Sequence, residues 1–393
     1  MSAQFETAGK PPATVAIFLY EPGDGGLDRV AILIANGLAE RGLATELWLT
    51  EVDGPLRALV SRQVRVREVS APKIGGRGLR LFLQLPTLIR ILRMQRPEVL
   101  MSAGNQSNLT VALAVILARN GVTRAVLKIT NPIFHPGMGF LQRLFRERRF
   151  GLTSRLGAQT LTLSQADANE FAKRFPQLRE RFRMVHNPYV TAAMLEAGQT
   201  RAAAPTAPPQ LLAVGRLTAQ KDHATLLDAL GRLKSRPWTL VILGDGPLAA
   251  ALGQQAEILG IAHHIRFVGF VADPLSWYAQ AQLLILSSRW EGFPAVPIEA
   301  LACGCNVVTT DCSPGLRELM AAAGLPSPVP VGDAAALARA IESALTKPRP
   351  AVEVNRIALR YSLDAAVDDH LGILRNQIGA RVPSTPQSGP GSP

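Results

Sequence analysis

Residues 289–318 read RWEGFPAVPIEALACGCNVVTTDCSPGLRE and limit the possible folds of this chain more than any other segment does. An apolar run at residues 283–288 leads into the segment, and a second one at residues 306–311 lies within it, so both are predicted as strands. Between them, Glu291 and Glu299 are separated by seven residues. Ligands of parallel α/β sheets bind beyond the carboxyl ends of strands, near helix N-termini. Two carboxylates in that place suit a polyhydroxylated ligand, because each accepts hydrogen bonds.

The same alternation of strand and helix continues outward from this segment. In the first half, a strand at residues 14–20 precedes a glycine-rich turn and a helix over residues 27–41 with apolar residues at helical spacing. Further strands of this half are predicted at residues 44–50, 64–69, 98–103, 124–130 and 160–165. The second half has predicted strands at 211–215, 238–244 and 265–270 and helices at 223–235, 247–260 and 274–281. This β/α alternation indicates parallel sheets.

The composition divides the chain into two domains. Residues 191–210 are rich in Ala, Thr and Pro and are interpreted as a linker. We therefore expect an N-terminal Rossmann-like domain over residues 1–190 and a C-terminal one over residues 205–360. A last helix is predicted at residues 363–379, and the tail at residues 381–393 reads as disordered.

Length and composition exclude several classes of protein. With 393 residues, 47% apolar and 18% charged, the chain is typical of a globular protein and long enough for two cores. Its longest apolar stretch, residues 109–118, is too short to span a membrane and predicts a buried helix. The N-terminus has no apolar core of signal-peptide type. The three cysteines lie between Cys303 and Cys312 without clustered histidines, which favours buried thiols over a disulfide framework or a metal site, and a cytoplasmic location.

The charge of the chain is unevenly distributed. The net charge is +12, and residues 1–190 account for all of it. A basic surface attracts phosphates on nucleic acid, anionic lipid or an acidic substrate. The sequence lacks an aromatic and basic surface for reading bases, so we expect no nucleic-acid partner.

Two stretches of the first half combine arginines with large apolar residues. Residues 77–96 and residues 137–156 have this character, and the second includes Arg143, Arg146, Arg148 and Arg149. Such stretches are typical of interfacial helices that meet an anionic membrane. The alternative is an amphipathic helix that packs on its own domain with its arginines outward.

A second informative stretch, VGRLTAQKDHATLL, occupies residues 214–227. Arg216 and Lys221 lie in the loop between a predicted strand and a predicted helix. Arginine supplies a planar fork of donors and lysine a compact charge, and together they suit a diphosphate. The alternative is a pair of solvated basic residues on a loop.

Taken together, these stretches resemble the retaining glycosyltransferases of family 4, which have the GT-B architecture. The resemblance extends over most of residues 14–375. It implies an α/β fold of two Rossmann-like β/α/β domains that face each other across a cleft, with a C-terminal helix at residues 361–380 that crosses back to the first domain. It also implies that the C-terminal domain binds a nucleotide-sugar donor and the basic N-terminal domain the acceptor.

The resemblance assigns roles to particular residues. Arg216 and Lys221 would contact the donor diphosphate, Glu291 the hydroxyls of the donor sugar, and Glu299 those of the ribose. Because Pro294 has no N–H, the amides of its neighbours would complete the sugar site. The expected donor-binding residues besides the catalytic Arg216, Lys221 and Glu291 are Gly25, Gly26, Gly215, Phe270, Gly292, Phe293, Pro294, Ala295 and Glu299.

The chain departs from the family pattern on the acceptor side. After the strand at residues 124–130 the family often has a histidine, whereas this sequence has Thr130 and Asn131, with His135 four residues further on. Asn131 and His135 are therefore the acceptor-side candidates, and a purely structural His135 is the alternative. Glu318 ends a P-G-x-x-E match, and its alternative role is to cap a helix.

These observations predict a retaining glycosyltransferase that moves a hexose from a nucleotide diphosphate sugar to a lipid-linked or cell-surface glycan acceptor. We expect it to work without a metal or other cofactor, because no Asp-x-Asp motif is present and two cations can replace a metal. The basic N-terminal domain predicts peripheral contact with the inner face of the cell membrane. The alternatives are a nucleotide-sugar epimerase, a phosphorylase, a transferase with a small soluble acceptor, and a non-catalytic relative. Front-face attack by the acceptor is favoured over a covalent intermediate.

Overall fold

The first half of the chain is built on a seven-stranded parallel sheet. The computed structural model describes residues 15–23, 25–135, 137–201, 208–346 and 357–378. The strand order β3-β2-β1-β4-β5-β6-β7 is the Rossmann order with one strand added. The strands are β1 (Val15–Leu19), β2 (Thr45–Leu49), β3 (Arg65–Glu68), β4 (Val99–Ser102), β5 (Arg124–Lys128), β6 (Gln159–Thr162) and β7 (Phe182–Met184).

Helices cover both faces of this sheet. Along β1, Ile17 and its alternate neighbours belong to one apolar cluster, and Phe18 with its own alternate neighbours belongs to another. Burial of both faces explains why the central strands are continuously apolar. The helices of this half are α1 (Gly26–Glu40), α2 (Arg77–Leu83), α3 (Leu85–Gln95), α4 (Asn108–Ala118), α5 (Phe140–Leu156) and α6 (Gln165–Arg174).

The second half is built on a five-stranded parallel sheet of order β10-β9-β8-β11-β12. Its strands are β8 (Gln210–Val214), β9 (Thr239–Leu243), β10 (Ile265–Gly269), β11 (Leu283–Leu286) and β12 (Asn306–Thr309). Its helices are α8 (His223–Gly231), α9 (Ala249–Ile258), α10 (Leu275–Gln280), α11 (Val296–Ala302), α12 (Pro314–Ala322) and α13 (Ala334–Thr346). Two parallel-sheet α/β domains confirm the predicted fold class.

The interpretation of residues 191–210 as a linker is wrong for their first half. Ala192–Thr200 form a helix, α7, whose start is capped by the Thr191 side chain accepting from the Met194 amide. The helix packs on α10 and α11. A Cβ at Gly198 would lie 2.2 Å from the Ala302 carbonyl oxygen, so the two backbones are in close contact. Residues 202–207 lie outside the described part of the chain.

The last helix, α14 (Leu363–Gln377), crosses back to the first half, as predicted. It packs on α1, where a Cβ at Gly37 would lie 2.3 Å from the Val367 side chain. Arg41 of α1 pairs with Asp364 at 2.9 Å and with Asp368 at 2.8 Å. The predicted tail, residues 381–393, lies outside the described residues.

A buried polar contact also joins α14 to the first sheet. Lys128 Nζ, at the end of β5, lies 3.0 Å from His370 Nε2, and both residues are fully buried. The His370 Nδ1 atom donates to the Ala366 carbonyl at 2.7 Å, which leaves Nε2 as the acceptor for the lysine. Burial lowers the pKa of Lys128 to about 7.

The helix predicted at residues 109–118 is α4, and it packs against α3 and β5. It is only partly buried, because Ile116 and Leu117 are each 42% exposed. Within the described residues, no helix has the length and apolar character needed to cross a membrane.

Candidate active site

The loops after β8 and β11 are tied together at the carboxyl end of the second sheet. These strands are neighbours, so their loops lie side by side where ligands bind in open α/β sheets. The Arg289 amide donates to the Gln220 carbonyl at 2.8 Å, and the Gln220 side chain donates to the Trp290 carbonyl at 2.9 Å. The Ser287 hydroxyl donates to the Lys221 carbonyl at 3.0 Å. These bonds fix the two loops relative to each other.

The two loops bring Lys221 and Glu291 into direct contact. Lys221 Nζ lies 2.7 Å from Glu291 Oε1, and the Ser288 hydroxyl donates to the same oxygen at 2.8 Å. The two side chains are only 18% and 11% exposed, so water screens the pair weakly. Arg216 is exposed, and among the described residues its side chain has no hydrogen-bond or ion-pair partner. The site therefore contains one oriented ammonium group and one guanidinium group available to a ligand.

Close backbone packing explains two of the glycines near this pair. At Gly244, φ is 139° and a Cβ would lie 2.1 Å from the Gly215 carbonyl oxygen, so only glycine fits. A Cβ at Gly215 would lie 3.2 Å from the Lys221 side chain, so Gly215 leaves room for the lysine. Phe270 follows the edge strand β10, is 63% exposed, and donates from its amide to Asp245 at 3.1 Å. Gly215 thus lies beside Lys221, whereas Phe270 lies at the far edge of the sheet.

Glu299 faces the first half of the chain. Its Oε2 atom accepts a hydrogen bond of 2.6 Å from the hydroxyl of Tyr278, a partner that the sequence analysis did not identify. Burial raises the pKa of Glu299, against the opposing effects of the Tyr278 hydroxyl and of Arg29. Arg29 belongs to the first turn of α1, which begins at Gly25 and Gly26. Arg29, which follows the glycine turn, is therefore within electrostatic reach of Glu299 across the cleft.

The two halves touch at the loop that carries Glu291. A Cβ at Gly292 would lie 2.1 Å from the Thr130 carbonyl oxygen and 3.1 Å from the Cα atom of Asn131. His135 stacks on Trp290 with ring centroids 5.1 Å apart and planes inclined by 21°. The structure thus brings both acceptor-side candidates to the residues that flank Glu291.

Asn105 holds the acceptor-side loop in place, and sequence reasoning missed it. Its Oδ1 atom accepts from the Thr130 amide at 2.7 Å, and its Nδ2 atom donates to the Asn131 carbonyl at 2.9 Å. Asn105 follows β4, the neighbour of β5, so the loops after both strands meet. The signal for this role was an asparagine two residues after the predicted strand at residues 98–103.

Of the residues after Gly292, Phe293 has a packing role, and its predicted backbone contact with the donor stays a prediction. Phe293 is 8% exposed and stacks on Tyr361 with ring centroids 5.6 Å apart. Its carbonyl accepts from the Tyr189 hydroxyl at 3.3 Å. Pro294 is buried, and Ala295 is the residue before α11. The Phe293 ring is a core side chain, so any contact of Phe293 with a ligand depends on its amide.

Glu318 connects the two halves. Its Oε2 atom accepts from the Ala166 amide at 3.0 Å, in the first turn of α6. Burial raises the pKa of Asp167 to about 6, and the Glu318 charge adds to the rise. A Cβ at Gly315 would lie 2.6 Å from the Ser164 Cβ, so α12 and α6 pack closely. Glu318 is therefore a helix cap, and the helix that it caps belongs to the other half.

Comparison with known proteins agrees with this geometry. Residues 24–192 match the family described as Glycosyltransferase Family 4, and residues 199–359 match the family described as Glycosyl transferases group 1. The two matched ranges cover both halves of the cleft. This chain belongs to the group 1 glycosyltransferases.

Two curated relatives differ in how much of this glycosyltransferase they match. An N-acetylgalactosamine-N,N'-diacetylbacillosaminyl-diphospho-undecaprenol 4-alpha-N-acetylgalactosaminyltransferase of Campylobacter jejuni is 41% identical over 109 residues, which are 28% of this chain and 30% of the relative. The chain thus matches less than a third of that relative's length. The lipopolysaccharide core biosynthesis glycosyltransferase LpsE of Rhizobium meliloti is 26% identical over 328 residues, which are 81% of this chain and 85% of LpsE.

The fold of the glycosyltransferase is also found in solved structures. The crystal structure of HepE from Anabaena in complex with UDP and glucose superimposes with a TM-score of 0.72 at 19% identity. The superposition covers 93% of this chain and 99% of HepE. The GT-B fold predicted from the sequence is confirmed.

Proposed function

We propose that this glycosyltransferase moves a hexose from a nucleotide diphosphate sugar to a lipid-linked or cell-surface glycan acceptor, with retention of configuration. The observation that carries the proposal is the Lys221–Glu291 ion pair with Arg216 exposed beside it. A departing nucleoside diphosphate gains negative charge, and fixed cations at that point stabilise it. The names of the Campylobacter jejuni relative and of LpsE, which specify a lipid-diphosphate glycan and a lipopolysaccharide core, support this class of acceptor.

The diphosphate, the hexose and the ribose of the donor bind to different residues along the cleft. Arg216 and Lys221 bind the diphosphate, and Glu291 accepts hydrogen bonds from the hexose. Glu299 accepts from the ribose hydroxyls, since its carboxylate has a second oxygen beside the one that Tyr278 occupies. The N-terminus of α1 at Gly26 adds amide donors for phosphate oxygens, and a Cβ there would meet no atom of the described residues within 4 Å beyond the turn itself, which leaves space for them.

Retention follows from attack on the same face that the leaving group departs from. The acceptor hydroxyl attacks the anomeric carbon while the departing phosphate takes its proton. Cys312 is a buried thiol near Glu291, but burial raises its pKa to about 12, so it is a poor nucleophile at neutral pH. This favours front-face attack over a covalent intermediate on that thiol.

Metal independence is part of the proposal. Arg216 and Lys221 supply the positive charge that a divalent ion would otherwise bring to the diphosphate. We expect transfer to continue at an unchanged rate in excess chelator. A loss of transfer that a divalent ion restores would contradict this part.

The outward face of α5 supports contact between the protein and the anionic inner face of the cell membrane. Phe140, Leu141 and Phe145 are 78%, 77% and 68% exposed, and Arg143 and Arg148 are exposed beside them. Apolar side chains next to cations suit a lipid interface. Neutralising Arg143, Arg146, Arg148 and Arg149 together should release the protein from anionic vesicles without changing its weak binding to neutral ones. Unchanged binding to the anionic vesicles would refute the contact.

A donor screen tests the proposal directly. Only a matching nucleotide sugar should raise the thermal midpoint appreciably, because ligands stabilise the state that they bind. Lys221→Ala should lose this stabilisation and abolish transfer. Lys234→Ala is the matched control, because Lys234 is exposed in the loop between α8 and β9, at the amino ends of the strands and thus at the opposite end of the sheet from the site.

Two outcomes would overturn the proposal. Near-normal transfer by Lys221→Ala would remove the diphosphate assignment. Conversion of the donor sugar without any acceptor would instead indicate a nucleotide-sugar epimerase.

A further inference from the structure

A groove runs across the surface of the first half, from the cleft to an exposed apolar region. Its inner depression, of about 290 Å³, is lined by the loops after β4 and β5 and by α5. Its outer depression, of about 540 Å³, is lined mainly by α2, α4 and the start of α3. Gln106, Leu109 and Arg149 line both, so the two depressions join.

The inner end of the groove opens beside the candidate donor site. Asn105 and Asn131 line it, and these residues belong to the acceptor-side loops described above. Glu291 and Gly292 share a small adjoining gap with Asn131. A molecule in the groove could therefore present its end to the sugar bound at Glu291.

The outer end of the groove is lined largely by apolar side chains, together with Arg77, Gln106 and Thr110. Leu85, Leu109 and Leu113 line it, and Phe82 forms its rim with 64% of its surface exposed. Covering such side chains with hydrocarbon is favourable, at about 25 cal/mol per Å² of apolar surface removed from water. This end has the character of a site for a lipid chain.

Arg149 lies between the two depressions of the groove, because it lines both of them. It is exposed, and its side chain has no hydrogen-bond or ion-pair partner within the part of the chain that the structure describes. The nearby arginines are engaged. Arg77 lies over the Tyr20 ring at 4.3 Å and 3.7 Å from Glu21, and Arg146 donates to a backbone carbonyl at 3.2 Å. Arg149 therefore offers the groove a positive charge that no carboxylate compensates.

We propose that this groove binds the lipid phosphate of the acceptor. Arg149 pairs with the phosphate, the hydrocarbon chain runs over Leu109 and Leu113 to Phe82, and the glycan reaches the cleft past Asn131. The inference rests on the proposed function, because it assigns the acceptor of the same reaction. Arg149 lies between the largely apolar outer end of the groove and the sugar site at Glu291. In a lipid-linked glycan, the phosphate likewise lies between the hydrocarbon chain and the glycan.

Binding of farnesyl phosphate to the full chain tests the groove, with no vesicles present and below the concentration at which the ligand forms micelles. Inorganic phosphate should bind at least about tenfold more weakly, because it lacks the chain. Arg149→Gln should weaken binding of farnesyl phosphate about tenfold, the size of one charge-assisted hydrogen bond. Arg148→Gln makes the same change of charge on the same helix but alters a residue outside the described lining, so its effect should stay below about twofold.

A second variant tests the apolar end. Phe82→Ala should weaken binding of farnesyl phosphate about fivefold and leave that of inorganic phosphate unchanged, since only the chain contacts Phe82. Equal losses for Arg149→Gln and Arg148→Gln would overturn the proposal. Binding of farnesyl phosphate that requires anionic vesicles would also overturn it, in favour of a membrane surface.

The same preparations separate this inference from the proposed function. Stabilisation by the matching nucleotide sugar should persist in Arg149→Gln and Phe82→Ala, because neither residue lies in the donor site. If the wild type binds farnesyl phosphate through Arg149 but no nucleotide sugar stabilises it, the proposed function fails and the lipid-phosphate site stands. If the nucleotide sugar stabilises every variant but the two arginine variants bind farnesyl phosphate alike, the groove assignment fails alone.

Discussion

The donor wall of the cleft, formed by the loops that carry Arg216, Lys221 and Glu291, differs from the groove on the first half in how it holds charge. In the donor wall, Lys221 pairs with Glu291 at 2.7 Å and Arg289 with Asp222 at 3.0 Å, so these two cations have partners before any ligand arrives, while Arg216 is available to the ligand. In the groove, Arg149 has no such partner among the described residues, and apolar rings are exposed around it. The donor wall is therefore preorganised, as stabilisation of a developing charge requires. The groove gains contacts only when a ligand covers it.

The largest effect should follow from breaking the preorganised pair. Glu291→Gln removes the charge that orients Lys221 and an acceptor for the donor sugar, so kcat should fall about 100-fold. Glu342→Gln is the matched control, because Glu342 pairs with Arg236 on the far side of the same half. Steady-state transfer rates would measure both. A kcat for Glu291→Gln equal to that of the control would show that the pair plays no part in the reaction.

A smaller loss of kcat should follow from disturbing the contact between Gly292 and Thr130. In Gly292→Ala, the new Cβ would meet the Thr130 carbonyl oxygen at 2.1 Å, so the Glu291 loop must move away from the acceptor side. We expect kcat to fall about tenfold while the nucleotide Kd stays unchanged, because misplaced groups cost rate more than binding. Gly253→Ala in α9 is the control, since its Cβ would meet no atom of the described residues within 4 Å. Equal kcat values for the two variants would contradict the role of this contact.

The bond between Glu318 and the start of α6 should matter less. Glu318→Ala removes a negative charge from a helix N-terminus, an interaction of about 0.3–1 kcal/mol, so transfer should slow about threefold. Glu318→Gln keeps the oxygen that accepts from the Ala166 amide and should lose less. Farnesyl phosphate binding in the groove should be the same in both variants. A larger loss for Gln than for Ala would rule out the hydrogen bond as the cause.

The last prediction concerns the free energy of unfolding, not the rate of transfer. Burial lowers the pKa of Lys128 from 10.5 to about 7, so between these values the unfolded chain binds more protons than the folded one. The free energy of unfolding should therefore rise with pH across this window in the wild type, by at most about 1.4 kcal/mol per pH unit, and this rise should be absent in Lys128→Met. Urea unfolding at several pH values, expressed as the difference between the two proteins, would measure it. A difference that does not change with pH would contradict the shifted pKa.

The two regions also differ in how far the sequence could predict them. Local patterns located every strand except β7 and placed Arg216, Lys221, Glu291 and Glu299 beyond the carboxyl ends of strands, because strand periodicity and short loops are encoded locally. That β8 and β11 are neighbours is shown only by the structure. The helix of Ala192–Thr200 was missed because its alanine- and threonine-rich composition also suits a linker.

Contacts between distant residues were beyond the sequence patterns. Asn105 supports Thr130, Tyr278 bonds to Glu299, and Glu318 caps α6, and each pairing depends on how separate elements pack. The groove was missed for the same reason. Its walls come from three parts of the first half, and only the packed structure shows that Arg149 lies between its two ends.

The most direct test of the donor wall is the affinity for a nucleoside diphosphate compared with the matching monophosphate, using the base found in the donor screen. If Arg216 and Lys221 bind the second phosphate, the wild type should prefer the diphosphate by at least about tenfold. The double variant Arg216→Gln, Lys221→Met should bind the two nucleotides with nearly equal affinity. A preference that persists undiminished in the double variant would contradict the assignment of these two cations to the leaving diphosphate.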